Sequence, residues 1–243
     1  MNPTAKAGFT RPDIYEQGRA SYPDAVVDAV GIDAETRVAD IGCGTGKFTR
    51  LLTHADVIGI EPLEGMRTTF HELLPDVPVL AGVAEALPFR DSLFDVATFA
   101  SAFHWIDHAR ALPELHRVLR PGGKLAIIWN RRDELSGWAR DFWQITEAHR
   151  GDTPGYRTGA WRTALDASPF FGPITEQWFE HTQHVDIDGA VARVASISFI
   201  ETNPKRDEIL DEARSFLEAL GPEEFDLPYR TVVYVSESLG VNG

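Results

Sequence analysis

The chain has 243 residues, of which 43% are hydrophobic and 25% charged, a composition that supports a globular fold with a sizeable buried core. Its 37 acidic and 23 basic residues give a net charge of −14, which repels a polyphosphate backbone and argues against nucleic acid as a partner unless a local basic patch intervenes. A single cysteine, Cys43, leaves no internal disulfide and no zinc site, and fits a cytoplasmic setting.

Met1–Tyr15 carries charges and prolines where a signal peptide needs an apolar stretch, and no apolar run approaches the roughly 20 residues that span a bilayer. A soluble protein away from the membrane is therefore expected. Short apolar runs rich in Val, Ile and Phe occur at Thr36–Ile41, Val57–Glu61, Val77–Ala81, Phe94–Ala100 and Lys124–Trp129, and each reads as a strand. Between them Phe48–His54, Leu63–Leu74 and Ala109–Leu119 read as helices, the last through Leu112, Leu115, Val118 and Leu119 on one face. Alternating strands and helices imply a parallel sheet. The Arg120-Pro121-Gly122-Gly123 stretch is expected to stop the last of these helices.

Beyond residue 131 the pattern loosens and aromatics accumulate, among them Trp138, Phe142, Trp143, Tyr156, Trp161, Phe170, Phe171, Trp178 and Phe179. This segment reads as an inserted cap. Thr175–His181 and Tyr229–Ser236 look like strands returning to the sheet, with helices at Gly189–Ile197 and Arg206–Leu220 between them. One domain is expected: an N-terminal lid (1–35), a ligand-binding core (36–130), a cap with C-terminal helices and one returning strand (131–228), and a last strand with its tail (229–243).

Asp40-Ile41-Gly42-Cys43-Gly44-Thr45-Gly46 follows a strand and opens a helix, the context in which a glycine-rich turn binds a cofactor. Its spacing, Gly-x-Gly-x-Gly, departs from the Gly-x-Gly-x-x-Gly dinucleotide fingerprint. Asp40 stands two positions before the first glycine, where its charge opposes a pyrophosphate and suits an ammonium group. S-adenosylmethionine (SAM) carries that ammonium and no phosphate. Glu61 ends the second strand, at the edge where an acidic residue accepts hydrogen bonds from ribose hydroxyls, each worth roughly 1.5 to 3 kcal/mol. The plainer alternatives are a tight connection that binds nothing and a solvated loop carboxylate.

With these residues in place the chain resembles the class I SAM-dependent methyltransferases of the type 11 branch, strongly over Arg37–Asn130. The glycine turn matches the first family motif and Ile58-Gly59-Ile60-Glu61-Pro62 the second; Gly82–Phe89 resembles the adenine-contacting turn, and Leu119–Leu125 the approach to the fifth strand. The resemblance implies an α/β, Rossmann-like fold: a mostly parallel seven-stranded sheet with an antiparallel last strand, helices on both faces and a helical cap. It also implies SAM as cofactor and S-adenosylhomocysteine as product. Asp40, Gly42, Cys43, Gly44, Gly46, Glu61, Pro62 and Met66 are expected to bind the cofactor, with Val83, Ala84 and Glu85 at the adenine and Ala100, Ser101 and Trp105 at the methionine end. Relatives often carry Asp where this chain has Val83, so adenine contact would rest on the Ala84 backbone and Glu85. Tyr15, Arg19, Tyr22 and Pro23 resemble a lid segment in which Tyr15 and Arg19 hold the methionine carboxylate; a solvated arginine is the alternative.

Phe99–Trp105 closes the fourth strand at the ligand-bearing edge. His104 is the candidate general base, set against a purely hydrogen-bonding role, and Trp105 either faces the sulfonium or packs the helix onto the sheet. Trp129, Arg131 and Arg132 leave the fifth strand at the same edge and are the candidate acceptor-binding residues. Methyl transfer from a sulfonium is an in-line displacement that needs alignment and exclusion of water, and no metal-ligand spacing is present. A carboxylate acceptor is already ionised near neutrality and needs a positive clamp, whereas a phenol needs a base. The small-molecule acceptor is thus expected to be a carboxylate or a nitrogen, with trans-aconitate methyltransferases the subfamily resembled. A non-catalytic SAM-binding module, and a methyltransferase acting on RNA or protein, are the rival readings. Oligomeric state has no signature in the sequence.

Overall fold

The computed structural model describes residues 7–132 and 137–240. Seven strands form one sheet in the order β3-β2-β1-β4-β5-β7-β6: β1 is Arg37–Ile41, β2 Asp56–Ile60, β3 Val79–Leu80, β4 Phe94–Ala100, β5 Leu119–Arg132, β6 Thr175–Asp186 and β7 Glu224–Glu237. β1 pairs in parallel with β2 and β4, β4 with β5, and β7 runs antiparallel to both β5 and β6. The expected mostly parallel sheet with an antiparallel last strand is what the chain forms.

The order reverses between β1 and β4, so connections leave the carboxyl ends of these two strands toward opposite sides and open a crevice there. Side-chain alternation decides which face each residue covers. Leu125, Ile127 and Trp129 of β5 join the cluster containing Leu112, Leu115 and Val118 of α4 (His108–Val118). Ala126 and Ile128, from the same strand, join Val26 and Val30 of α2 (Ala25–Val30) on the other face. A third cluster ties α5 (Gly137–Glu147), α7 (Ile187–Ala195) and α9 (Arg206–Leu220) to the antiparallel β6–β7 pair, through Phe142, Trp143, Val194, Leu217 and Tyr229. The late aromatics do not form one small core of their own. Trp138, Phe142 and Trp143 belong with this third cluster, Tyr156, Trp161, Phe170 and Phe171 extend the first, and Phe179 packs on the second.

The remaining helices are α1 (Pro12–Gly18), α3 (Glu64–Leu73), α6 (Ala160–Asp166) and α8 (Ser198–Glu201). Several boundaries differ from the sequence reading, among them the start of the last strand, which is Glu224 and not Tyr229. The helix expected at Phe48–His54 is only a 3-10 turn at Thr49–Leu52, where the Thr49 hydroxyl is drawn inward to Asp40 at 2.6 Å. β3 keeps only Val79 and Leu80. α4 ends at Val118, and the Arg120–Gly123 stretch belongs to β5, with positive φ at Gly122 and a register shift against Phe94 and Val96. β6 runs on to Asp186, its side chains mostly exposed along an edge strand, so hydrophobic alternation could not mark its full length.

Gly46 is the tightest point of the glycine turn. Its φ is +87°, and an added Cβ would stand 2.6 Å from Leu74 Cδ1 and 2.9 Å from Phe70 Cδ2. Gly46→Ala therefore forces both backbone strain and overpacking onto α3, an expected loss of about 2 to 4 kcal/mol. Thermal denaturation checks this; an unchanged midpoint would contradict the packing role.

Candidate functional site

β1 delivers the glycine turn to the crevice, and β2 delivers Glu61 beside it. The Gly42 amide donates to the Ile60 carbonyl at 2.7 Å, fixing the turn to β2. Glu61 is 6% exposed, and its two carboxylate oxygens accept separately from the Gly44 amide at 3.1 Å and the Leu63 amide at 2.8 Å. Burial pushes its pKa up against the pull of those two amides. Gly44 has φ +58°, and a Cβ added there meets only the Tyr15 ring, at 3.9 Å: the turn presents bare backbone to open space.

That space is a hollow of about 740 Å³, part of it open to solvent. Its lining includes Gly42, Gly44, Glu61, Pro62 and Met66, then Val83, Ala84 and Glu85, and also Tyr15, Ala100, Ser101 and Trp105. Twelve of the expected cofactor residues are thus brought together. The short bridge between Val83 and Ala86 shapes the second of these groups, and Glu85 anchors it by accepting from the Asp107 amide at 3.0 Å. Phe9, Leu63 and Ile106 also line the hollow; no polar or motif signal marked them in the sequence.

Four expected contacts lie elsewhere. Asp40 is fully buried beneath the turn, where its oxygens accept from the Thr49 hydroxyl at 2.6 Å and the Thr98 hydroxyl at 2.8 Å. It does not border the hollow, so the expectation that it meets an ammonium directly is corrected to a supporting role under the turn. Cys43 is buried, with Sγ packed against Gly59 on β2. Gly46 packs on α3, as described above. Arg19 borders two adjoining cavities instead.

α1 closes over the hollow. Glu16 fastens it to the glycine turn, accepting from the Thr45 hydroxyl at 2.6 Å and pairing with Lys47 at 3.2 Å and Arg50 at 2.7 Å. Tyr15, one residue earlier, is thereby held at the rim.

A second cavity of about 700 Å³ adjoins the first. Phe9, Tyr15, Ser101 and Trp105 border both and so stand where the two cavities meet. Phe9 meets Tyr15 and Trp105 edge-on, with centroids 5.8 and 6.0 Å away. Ser101 has φ +60°, an uncommon backbone for a non-glycine residue and one found at functional sites. Its amide donates to the Ile128 carbonyl at 2.8 Å, and its hydroxyl shares a hydrogen bond with Tyr22 at 3.0 Å.

His104, Trp129 and Arg132 line this second cavity as expected. The candidate base is corrected. Burial, then the charges of Arg19 and Arg150, press the His104 pKa down to about 3, and the Trp129 indole N–H points to its Nδ1 at 3.4 Å. With Nδ1 accepting, the neutral ring carries its proton on Nε2 and serves as a donor. Arg131 is also corrected: it stacks on Tyr156 and Trp178, with Cζ 5.1 and 4.9 Å from the ring centroids, and borders none of the cavities described. Arg132 donates to Thr146 and Glu147 at 3.1 and 2.8 Å, and burial lowers its pKa to about 10, leaving it charged at neutrality. Two further arginines, Arg150 and Arg193, complete the lining. A signal for Arg193 was present: it is the one charged residue in the otherwise apolar run Gly189–Ile197.

Asp40 makes a pH prediction. Burial raises its pKa from 3.8 to about 6 against the two threonine hydroxyls, so the folded chain holds this proton more tightly than the unfolded chain. The resulting stabilisation is present below about pH 4 and is lost as pH rises through about 6. Asp40→Asn should therefore flatten this part of the stability–pH curve, gaining on the order of 2 kcal/mol relative to wild type between pH 4 and pH 7. Denaturant titrations across that range check it; parallel curves would contradict it.

Among the described residues no group of three His, Cys, Asp or Glu side chains is placed to hold a metal ion, and no helix is long and apolar enough to cross a membrane. A family model described as "Methyltransferase domain" matches residues 39–127. An uncharacterized methyltransferase of Mycobacterium tuberculosis is 36% identical over 226 residues, covering 90% of both chains. A demethylmenaquinone methyltransferase of Renibacterium salmoninarum is 38% identical over 105 residues, 42% of this chain and 44% of that one. The solved YcgJ protein from Bacillus subtilis superimposes with a TM-score of 0.58 at 20% identity, covering 89% of this chain and 97% of that one, and so shares its fold. The glycine turn with Glu61 beside it, the sheet and these relatives agree: the chain belongs to the class I SAM-dependent methyltransferases.

Proposed function

We propose that this methyltransferase acts on a small acidic molecule and transfers the methyl group to a carboxylate oxygen, in the manner of the trans-aconitate branch it resembles. The observation that carries this reading is the charge of the second cavity. In a chain of net charge −14, Arg19, Arg132, Arg150 and Arg193 converge on one hollow, which meets the cofactor hollow at Tyr15 and Trp105.

The hollow beside the glycine turn fits SAM on the chain's own terms. Glu61 is a buried carboxylate with one backbone amide on each oxygen, and its remaining lone pairs suit the two ribose hydroxyls. Ala84 and Glu85 are assigned to the adenine, Ala100 and Ser101 to the ammonium, and Tyr15 with Arg19 to the methionine carboxylate. Bound SAM supplies a methyl group activated by its sulfonium and leaves as S-adenosylhomocysteine.

The chain's part is alignment. Phe9, Tyr15 and Trp105 offer aromatic faces and edges where the two cavities meet, and a sulfonium there gains roughly 0.5 to 2 kcal/mol from a ring face. Arginines hold the acceptor carboxylate on the far side of this junction, so that its oxygen approaches opposite the sulfur and forms the C–O bond as the C–S bond breaks. No proton has to move, which agrees with a His104 that is a donor and a poor base. A nitrogen acceptor without an anionic group, by contrast, gains nothing from four guanidiniums. The acidic surface likewise favours a small molecule over a nucleic acid.

Incubation of the protein with methyl-labelled SAM and a metabolite extract, followed by mild base, tests the reaction. Label released as methanol is the expected result; label retained in a base-stable product would contradict carboxyl transfer. For the cofactor end, Glu61→Ala should weaken S-adenosylhomocysteine binding by about tenfold to a hundredfold in calorimetry, since it removes charge-assisted bonds to the ribose. An unchanged affinity would sink the ribose assignment.

A further inference from the structure

The four guanidiniums of the second cavity are not equivalent. Arg132 and Arg150 share the carboxylate of Glu147, at 2.8 Å from Arg132 and 2.7 Å from both donating nitrogens of Arg150. Arg193 has no such partner. It projects from α7, is 5% exposed, and donates only to neutral oxygens, the Tyr229 hydroxyl at 2.9 Å and the Ser196 hydroxyl at 3.4 Å. Arg19 is in the same condition. It donates to the Ser196 carbonyl at 2.7 Å, while its Nε is enclosed without a hydrogen-bond partner. Among the described residues neither Arg19 nor Arg193 has a carboxylate partner.

Two guanidiniums with no carboxylate partner, joined through one serine, are unfavourable by themselves: each has lost water, and each repels the other. Such an arrangement is retained where an anion from outside completes it. Bound cofactor brings one carboxylate, which the proposed function gives to Arg19, whose Cζ is 5.2 Å from the centroid of the Tyr15 ring that borders the cofactor hollow. That leaves Arg193. Its guanidinium lies over the indole of Trp143 at 5.3 Å, and Arg132 lies over the same ring at 4.5 Å. One aromatic plate thus fixes two planar cations that both border the acceptor cavity.

We propose that Arg193, with Arg132 beside it on Trp143, is the carboxylate seat of the acceptor cavity and binds a carboxylate of the acceptor. The inference rests on the reading of that cavity as the acceptor site, and it assigns an α7 residue outside every methyltransferase motif of the sequence. The Tyr229 hydroxyl is the positioning group, since it receives the Nε–H and, with Ser196 on Nη1, fixes the guanidinium and leaves Nη2 without a hydrogen bond among the described residues.

The test measures binding without turnover. Protein saturated with S-adenosylhomocysteine is titrated at constant ionic strength with acetate, benzoate and succinate, and with acetamide, benzamide and succinamide. Wild type is expected to bind at least one carboxylate about tenfold or more tightly than its amide. Arg193→Met should remove that preference and leave S-adenosylhomocysteine affinity within about twofold, because the cofactor's carboxylate stays on Arg19. Tyr229→Phe, which keeps the ring and the fold, should reduce the preference several-fold and decides the matter if the methionine variant does not fold. Absence of any preference in wild type overturns the proposal, as does a preference that survives in the variants. A loss of S-adenosylhomocysteine affinity in Arg193→Met with the preference intact would instead give Arg193 to the cofactor. A failed methanol assay alongside a confirmed preference would remove the carboxyl-transfer reading and leave the anion seat standing.

Discussion

Glu61 ties together the two strand ends on which the binding site depends. One oxygen takes the Gly44 amide and the other takes the Leu63 amide, so a single buried carboxylate fixes the glycine turn after β1 relative to the start of α3. Backbone amides are what make burial of that charge tolerable. The same atoms then serve as ribose acceptors in the proposed reading, so the group that holds the hollow open is also the group that selects what fills it. Asp40 supports the arrangement from below, bonded to Thr49 and to Thr98 of β4, and so links β1 to the neighbouring strand that carries Ser101.

Charge is distributed against the average of the chain. The net value is −14, yet the cavity beyond Ser101 collects arginines from the lid, from β5, from the loop after α5 and from α7. Aromatic rings carry them: Tyr15 under Arg19, Trp143 under Arg132 and Arg193, Phe199 under Arg150. A guanidinium stacked on a ring loses little orientational freedom when it meets a planar carboxylate. The aromatic richness of the second half is thus shared between packing and presentation of cations, with Phe142 and Trp161 in the clusters and Trp143 in both roles.

The cofactor side of the molecule was legible in the sequence because its signals are local. A strand, a glycine turn and an acid at the next strand end all fall within Val38–Glu61, and period-two and period-3.6 patterns mark the elements around them. Phe9, Leu63 and Ile106 escaped because apolar lining residues look like any other apolar residues. The acceptor side was less legible. Arg131 and Arg132 are adjacent and equally charged, but strand alternation sends them to opposite faces, and only Arg132 reaches the cavity. Arg150 and Arg193 come from elements whose approach to β5 is set by tertiary packing of the third cluster, which no local pattern encodes. His104 lines the second cavity, while its protonation follows from burial and from Trp129, 25 residues away in sequence.

We propose that the methyl group crosses from cofactor to acceptor between Phe9, Tyr15, Ser101 and Trp105, the residues that border both cavities. A crystal structure of the complex with S-adenosylhomocysteine tests it most directly. The expected result is ribose hydroxyls on the Glu61 carboxylate and the sulfur among those four residues, facing the arginine-lined cavity. A nucleoside bound the other way round, or a sulfur directed away from those residues, would contradict the proposal.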